Sequence, residues 1–311
     1  MRMIACLCIL VSGFSLSAQL PEQPAPVFKA EAELVVLHVS VRDRGGRYVT
    51  GLDRDAFTVI DDGKPQTLSM FSADAVPASV GLLIDNSNSM RPNRERVIVS
   101  AAEFVKHSHP KDQFFVLTFN EEVRRAWGPS ITGETDPGRF ASAMSSAIVA
   151  RGMTAIYDAI LEGLQRVAGG MHSRQVLIAV SDGDDNASKA SRDELLKQVP
   201  QSDATIYTIA LIDPLTREGN PQLLGRLARA TGGASYRPRH ADDISEAFDE
   251  IARDIRSAYT LAYTPTTATA GKSEDQRRRR TVRVYARSQD GRALRVRTRD
   301  GYFENLPGAT Q

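Results

Sequence analysis

The sequence predicts an α/β protein, in which a Rossmann-like, doubly wound domain is inserted into a smaller, sandwich-like β-rich module. From 77 to 256, short apolar strands alternate with helical patterns, which indicates a mostly parallel sheet with helices on both faces. Before and after this region, at 31–76 and 257–311, the patterns are all β. Neither β segment is large enough to bury a core alone, so we expect the two to pair with each other.

The first 30 residues predict export. Met1-Arg2 is followed by an apolar run at 4–16, and Ser15-Leu16-Ser17-Ala18 is typical of a signal-peptidase site. The run is shorter than the roughly 20 residues that a permanent membrane helix needs. We therefore expect a signal peptide at 1–18, a polar, proline-rich lead-in at 19–30, and a periplasmic or extracellular mature protein.

Composition excludes several kinds of site. The only cysteines, Cys6 and Cys8, lie in the predicted signal peptide, so the mature chain would contain no disulfide and no cysteine–metal site. The five histidines show no zinc-ligand spacing. The net charge of +1 argues against an extended nucleic-acid surface.

The N-terminal β segment is predicted from period-two alternation and turn residues. Apolar residues alternate with others from Val35 to Val41, which indicates a half-buried strand. Phe57, Val59 and the turn at Asp62-Gly63 indicate a hairpin that continues to Phe71.

The α/β segment is predicted from apolar runs, helical spacing and caps. Ser191 and Glu194 form a capping box, and Gly232-Gly233 ends a helix. We expect strands at 80–84, 114–119, 123–127, 176–180 and 206–211, and helices at 97–105, 140–148, 155–167, 195–199, 223–230 and 244–255.

The C-terminal segment returns to alternation. Tyr259, Leu261 and Tyr263 indicate one strand, and the turn at Asp290-Gly291 indicates a hairpin that joins a strand around Val282 to one around Leu294 and Val296.

Candidate ligands follow two of the predicted inner strands. Strand 80–84 leads into Asp85-Asn86-Ser87-Asn88-Ser89, and strand 176–180 leads into Ser181-Asp182-Gly183. In an open α/β sheet the carboxyl ends of the strands share one crevice, so Asp85 and Asp182 should face it together. The loop at 151–154 precedes a helix and can bring the Thr154 hydroxyl to the same rim.

These side chains favour a hard cation. Asp85, Ser87, Ser89, Thr154 and Asp182 offer only oxygen, which suits Mg²⁺ or Mn²⁺. Three of the five are neutral hydroxyls, so a bound ion would keep residual positive charge and an open position. An Asp or Glu of a partner protein could fill that position.

This pattern resembles the metal-ion-dependent adhesion site of von Willebrand factor A domains. Asp85-x-Ser87-x-Ser89, Thr154 ahead of a helix and Asp182 in Ser-Asp-Gly carry the resemblance, which spans about 78–256. It implies that Ser87, Ser89 and Thr154 bind the ion directly, and that Asp85 and Asp182 act through water.

The flanking segments resemble a bacterial subgroup of exported von Willebrand A-related proteins, known mostly from acidobacteria. The phrases at 43–49, 57–63 and Asp300-Gly301-Tyr302 carry that resemblance. The resemblance implies a metal-dependent protein-binding module and not an enzyme.

Two other functions are open to the same residues. A structural envelope scaffold with incidental metal binding needs no further motif. A metal-dependent hydrolase is disfavoured because no P-loop is present, no histidine lies near the motifs, and Ser87 stands where a haloacid dehalogenase-type enzyme has its second aspartate.

We expect that neither of two further motifs forms a ligand-binding site. The acidic run 182–186 resembles an EF-hand loop, but Ala187 replaces the required glycine and a strand precedes it. The run Arg277–Arg280 could bind an anionic lipid or polysaccharide, and we expect instead a solvated loop between two strands.

Overall fold

The computed structural model describes residues 34–212, 219–240, 242–266 and 278–304. The predicted signal peptide at 1–18 and lead-in at 19–30 lie outside these residues, as does Arg277. None of the helices in the described ranges is both long enough and apolar enough to span a membrane.

The described chain contains the strands and helices that the periodicity predicts for the α/β segment, with ends that differ by up to four residues. The strands are β1 (Val35–Arg42), β2 (Phe57–Asp61), β3 (Lys64–Gln66), β4 (Met70–Ser72), β5 (Ala78–Asp85), β6 (Gln113–Phe119), β7 (Val123–Ile131), β8 (Arg174–Ser181), β9 (Thr205–Ala210), β10 (Ser235–Tyr236), β11 (Tyr259–Tyr263), β12 (Arg279–Ala286), β13 (Arg295–Arg297) and β14 (Gly301–Phe303). The helices are α1 (Arg94–His107), α2 (Pro137–Ala147), α3 (Ile156–Ala168), α4 (Arg192–Gln198), α5 (Pro221–Ala230) and α6 (Asp242–Ser257).

The central sheet has six strands in the order β10-β9-β8-β5-β6-β7. All neighbours in it are parallel except β6 and β7, which are antiparallel. The chain moves from β5 outward to β6 on one side and returns to β8 on the other. The strand order therefore reverses between β5 and β8, and a crevice opens beyond their carboxyl ends.

Helices cover both faces of this sheet, as predicted. Helices α1, α2 and α6 pack on one face around Phe104, Phe140 and Phe248. Helices α3, α4 and α5 pack on the other face around Ile160, Leu195 and Leu224. Strand β5 is buried along its whole length because it is covered on both sides.

The flanking strands form a second core between two antiparallel four-stranded sheets, ordered β13-β1-β11-β4 and β14-β12-β2-β3. Strand β1 pairs with β11 and β13, and β2 pairs with β12, so each sheet combines strands from before and after the α/β domain. The inward side chains include Leu37, Val59, Leu261 and Val284. The predicted insertion of an α/β domain into a sandwich-like β module is confirmed.

One predicted strand pairing is wrong. The turn at Asp290-Gly291 does join two chain segments, since Arg287 and Ala293 form an antiparallel bridge. Beyond Leu294, however, the chain leaves β12, and β13 pairs with β1 in the opposite sheet. The turn residues fix only the first few pairs of a hairpin and do not determine which sheet the returning strand joins.

The predicted solvated loop at Arg277–Arg280 is also wrong for its last two residues, which begin β12. Arg280 is 1% exposed, and its Nε donates a 2.9 Å hydrogen bond to the fully buried carboxylate of Asp61. Arg278 and Arg279 form ion pairs with Asp62 and Asp300. The Asp61 partner makes burial of a guanidinium possible, because a buried charge must be paired.

A buried carboxylate joins the two cores. Asp254 of α6 accepts hydrogen bonds from Ser40 of β1 at 2.5 Å, from Tyr207 of β9 and from Arg297 of β13. Asp254 is 1% exposed. One side chain of the α/β domain is therefore bonded to two strands of the β module.

Candidate metal centre

The two predicted carboxylates emerge side by side from the centre of the sheet. Asp85 is the last residue of β5, and Asp182 follows Ser181, the last residue of β8. Because Ile84 is in register with Val180, Asp85 lies opposite Ser181. The Ser181 hydroxyl donates a 2.6 Å hydrogen bond to Asp85 Oδ2.

The loop after β5 turns its two serines toward each other. The backbone N–H of Ser87 donates to Asp85 Oδ1 at 2.8 Å, which forms a tight turn at the strand end. The Oγ atoms of Ser87 and Ser89 lie 3.1 Å apart. Ser87 is buried and Ser89 is exposed, so this pair of hydroxyls reaches from the floor of the site to its rim.

Asn86 holds the second loop, residues 148–155, against the first. Its Oδ1 accepts hydrogen bonds from the backbone N–H groups of Val149 at 2.7 Å and Ala150 at 2.6 Å, and its Nδ2 donates to the carbonyl of Ala147 at 3.2 Å. Ala150 has a φ of +56°, a conformation that costs a non-glycine residue about 1 kcal/mol or more. The amide of Asn86 therefore stabilises a strained backbone next to the site.

The turn between β6 and β7 supports the second loop from the other side. Glu121 Oε1 accepts a 2.9 Å hydrogen bond from the Met153 backbone N–H. Gly152 has a φ of +91°, and a Cβ atom there would lie 2.4 Å from the Glu121 carboxylate. The positive φ favours glycine at this position, and a side chain there would also displace the Glu121 carboxylate.

The third loop, residues 182–190, contacts the backbone of Thr154. Asn186 Oδ1 accepts from the Thr154 N–H at 2.8 Å, and the Thr154 carbonyl accepts from the N–H groups of Asn186 and Ala187 at 3.0 Å each. Thr154 is buried, as is Asp182, whose Oδ1 accepts from the Asp184 N–H at 3.0 Å.

The three loops form a closed ring of hydrogen bonds. The ends of β5 and β8, which lead into the first and third loops, are joined through Asp85 and Ser181, and the third loop meets the second through Asn186 and Thr154. The second returns to the first through the Asn88 N–H and the Gly152 carbonyl, 3.2 Å apart. All five predicted ligands therefore lie on adjoining loops at one end of the sheet. Their roles toward a metal remain a prediction.

The electrostatics favour a cation at this end of the sheet. Burial raises the pKa of Asp85 to about 6, hydrogen bonds from Ser181 and Ser87 oppose the rise, and the charge of Asp182 adds to it. The ionised form of Asp85 is therefore disfavoured, and a positive charge beside it would stabilise that form.

The donor set fits a hard divalent ion bound mainly by hydroxyls. Both oxygens of Asp85 already accept hydrogen bonds from protein groups, which suits a role through water. In the part of the chain that the structure describes, the Thr154 hydroxyl and Asp182 Oδ2 have no hydrogen-bond partner. No group of three or more His, Cys, Asp or Glu side chains that could hold a metal occurs in those residues, and a site with two carboxylates and three hydroxyls does not require one.

Asp185 of the acidic run and Asp158 of α3 have structural roles. Asp185 Oδ1 accepts hydrogen bonds from the Ser188 hydroxyl at 2.5 Å and the Tyr157 N–H at 3.3 Å. Asp158 in the first turn of α3 accepts from the N–H groups of Lys189 and Ala190, at 2.9 Å each. These carboxylates fix the third loop to the start of α3.

Sequence reasoning missed the residues that position the ligands. Asn86, Glu121, Ser181 and Asn186 each bond to a loop distant in sequence, and periodicity carries no signal of such contacts. Two of them lie inside the motifs: Asn86 in Asp-x-Ser-x-Ser and Ser181 in Ser-Asp-Gly. Asn and Ser are residues whose side chains bond readily to nearby backbone, which is the one cue that the sequence offers.

Residues 80–184 match the family model of the von Willebrand factor type A domain. These residues contain all five predicted ligands, and the α/β domain has the von Willebrand A fold. No curated protein sequence matches the chain.

Solved structures show the same fold at low identity. A von Willebrand factor type A protein from Catenulispora acidiphila matches with a TM-score of 0.51 and 12% identity, over 82% of this chain and 76% of that chain. Proximal thread matrix protein 1 from the mussel byssus matches with a TM-score of 0.50 and 16% identity, over 63% of this chain. The match spans 51% of the mussel protein. These likenesses concern the fold alone.

Proposed function

We propose that this protein is an exported, metal-dependent protein-binding module that docks an acidic residue of a partner on a bound Mg²⁺ or Mn²⁺ ion. The closed ring of three loops carries the proposal. It collects three hydroxyls and two carboxylates at the switch point of the sheet, where α/β domains bind their ligands.

Each ligand has a role in this proposal. Ser87, Ser89 and Thr154 hold the ion directly, and Asp85 and Asp182 hold it through water. The bound ion supplies a Lewis-acidic position that accepts a carboxylate oxygen. Since only neutral hydroxyls contact it directly, the ion keeps the positive charge that an acidic partner residue needs.

We propose binding and not catalysis. The three loops carry no histidine or cysteine, and the proposal assigns both buried carboxylates, Asp85 and Asp182, to the ion through water. A partner residue would complete the coordination and remain bound.

Calorimetric titration of the mature chain, 19–311, with Mn²⁺ and Mg²⁺ after chelator treatment tests the metal site. We expect one saturable site that Asp182→Asn abolishes. Asp184→Asn is the matched control, because it removes the same charge from an exposed position in the same loop. Loss of binding in both variants, or in neither, would refute the assigned site.

A peptide library displayed on phage, bound in Mn²⁺ and eluted with chelator, tests the docking step. We expect selected peptides to share an Asp or Glu whose change to Asn or Gln removes binding. Selected peptides without a required carboxylate would leave metal binding intact and overturn the docking. N-terminal sequencing of protein from the envelope and medium fractions tests export, with Gln19 as the expected first residue.

A further inference from the structure

Strand β12 presents a basic and aromatic face to solvent. Its burial alternates strictly, with Val282, Val284 and Ala286 in the core and the intervening residues outside. The outward residues Arg283 and Tyr285 are exposed, and Arg287 continues the alternation just beyond the strand. The Tyr285 side chain is 54% exposed, unusual for a large aromatic residue on a sheet.

The neighbouring strands extend this face without adding acidic groups. Arg283 is in register with Ile60 of β2 and Tyr285 with Thr58, while Ile60 is in register with Pro65 of β3. Thr58 and Pro65 are exposed and Ile60 is half-buried. The residues of β2 and β3 beside Arg283 and Tyr285 are therefore uncharged.

The arginines of this face lack partners that other arginines of the module have. Arg278, Arg279 and Arg292 form ion pairs with Asp62, Asp300 and Asp290. Among the residues that the structure describes, the guanidinium group of Arg283 has no hydrogen-bond or ion-pair partner. The guanidinium group of Arg287 donates to the carbonyl of Gly291, at 3.1 Å, and to no other described residue.

These unpaired cations are a local feature, since the whole chain has a net charge of only +1. Two guanidinium groups that keep most of their N–H donors free beside an exposed aromatic ring are suited to an anionic ligand.

We propose that this face, defined by Arg283, Tyr285 and Arg287, binds an acidic polysaccharide that carries carboxylates. A guanidinium group matches a carboxylate with two parallel hydrogen bonds. The tyrosine ring offers an apolar surface against which a sugar ring can pack, with a hydroxyl for its polar edge.

The spacing along the strand suits an extended chain. At about 3.3 Å per residue, the two arginines lie about 13 Å apart with the tyrosine midway. Acidic groups on separate sugars could then meet the two arginines while an intervening sugar lies over the ring.

Two other polyanions fit this face less well. A membrane surface needs large protruding apolar side chains to enter the bilayer, and of the two apolar residues that β2 and β3 add here, Ile60 is half-buried and Pro65 is small. Single-stranded nucleic acid needs successive aromatic platforms for successive bases, and this face offers one.

Binding of the mature chain to immobilised polygalacturonate, measured by biolayer interferometry in chelator, tests the proposal. Chelator removes any contribution from the metal site, so the result is independent of the proposed docking function. We expect saturable, salt-sensitive binding and none to neutral dextran. The double variant Arg283→Ala/Arg287→Ala should weaken binding about tenfold or more, since each charge-assisted pair contributes more than a neutral hydrogen bond.

Matched variants separate this site from general charge. Arg139→Ala/Arg226→Ala removes the same charge from exposed helical positions and should bind as the wild type does. Tyr285→Phe should retain binding and Tyr285→Ala should lose it, with unchanged urea midpoints for all variants. Equal loss in the helical control, equal binding of dextran, no binding of polygalacturonate, or tighter binding of a single-stranded oligonucleotide or phosphatidylglycerol vesicles would overturn the proposal.

Discussion

The Ser181 hydroxyl donates a 2.6 Å hydrogen bond to Asp85 Oδ2, which joins the ends of the two central strands by one side-chain bond. The same hydroxyl accepts from the Gly183 N–H at 3.0 Å. Ser181 thus orients both the Asp85 carboxylate and the backbone of Gly183, which follows Asp182.

Replacing Ser181 with alanine should weaken Mn²⁺ binding about tenfold, because outer-shell partners of ligands contribute on that order to affinity. Ser202→Ala is the matched control, since the Ser202 hydroxyl accepts from the N–H two residues later in the same way, far from the site. Calorimetric titration measures both variants. Unchanged affinity in Ser181→Ala would show that Asp85 needs no orientation by this hydroxyl.

Asn86→Ala should destabilise the domain by about 1–3 kcal/mol, because it leaves two backbone N–H groups of the second loop without their acceptor. Urea unfolding measures the change. Asn86→Asp keeps the acceptor oxygen and should recover part of the stability, whereas equal losses in both variants would assign the effect to the Nδ2 donor instead.

Stability should fall as the pH is lowered from about 6.5 toward 3, in part because of His38. Burial and the nearby charges of Arg174 and Arg299 lower the pKa of His38 to about 3. The unfolded chain takes up a proton on His38 near pH 6.5 and the folded chain does not. The contribution of His38 to the free energy of unfolding is therefore fully present above pH 6.5. It declines by at most about 1.4 kcal/mol per pH unit as the pH drops toward the folded pKa.

Urea titrations at pH 7.5, 6 and 5 of wild type and His38→Gln measure this contribution. The variant should lose less stability than the wild type between pH 7.5 and 5. Parallel pH profiles would mean that His38 is protonated in the folded protein as readily as in the unfolded chain.

Asp254→Asn should destabilise the protein by about 3 kcal/mol or more, because it leaves the Arg297 guanidinium partly buried without its counter-charge. Asp242→Asn on the same helix removes an exposed ion pair with Arg96 and should cost at most about 1 kcal/mol. Thermal unfolding of the two variants provides the comparison. A small effect of Asp254→Asn would mean that the contact between the α/β domain and the β module depends on apolar side chains and not on this carboxylate.

The parts of the structure that follow from local pattern could be predicted. Strand β5 is a buried apolar run, and α6 repeats apolar residues at helical spacing, so their existence and their layer follow from periodicity. The place of Asp85 and Asp182 follows from the general rule that parallel strands share one carboxyl edge.

The parts of the structure that depend on partners distant in sequence could not be predicted. In the sequence, Arg280 is one of four consecutive arginines, and nothing local distinguishes it as the one that bonds to Asp61. Strand β13 has the same alternation whether it returns to β12 or crosses to β1. The support of Thr154 by Asn186 joins two loops whose spacing no periodicity encodes.

The arrangement of strands in the β module also determines the order in which the protein can be completed during synthesis. Strands β1, β2 and β4 emerge from the ribosome before the α/β domain, but their partners β11, β12 and β13 emerge after it. The α/β domain has all its strands and helices once α6 is made, while β1 still lacks its neighbours β11 and β13. Nascent chains paused within that interval should therefore expose strand edges that attract chaperones or self-associate, even though the candidate metal site is already formed.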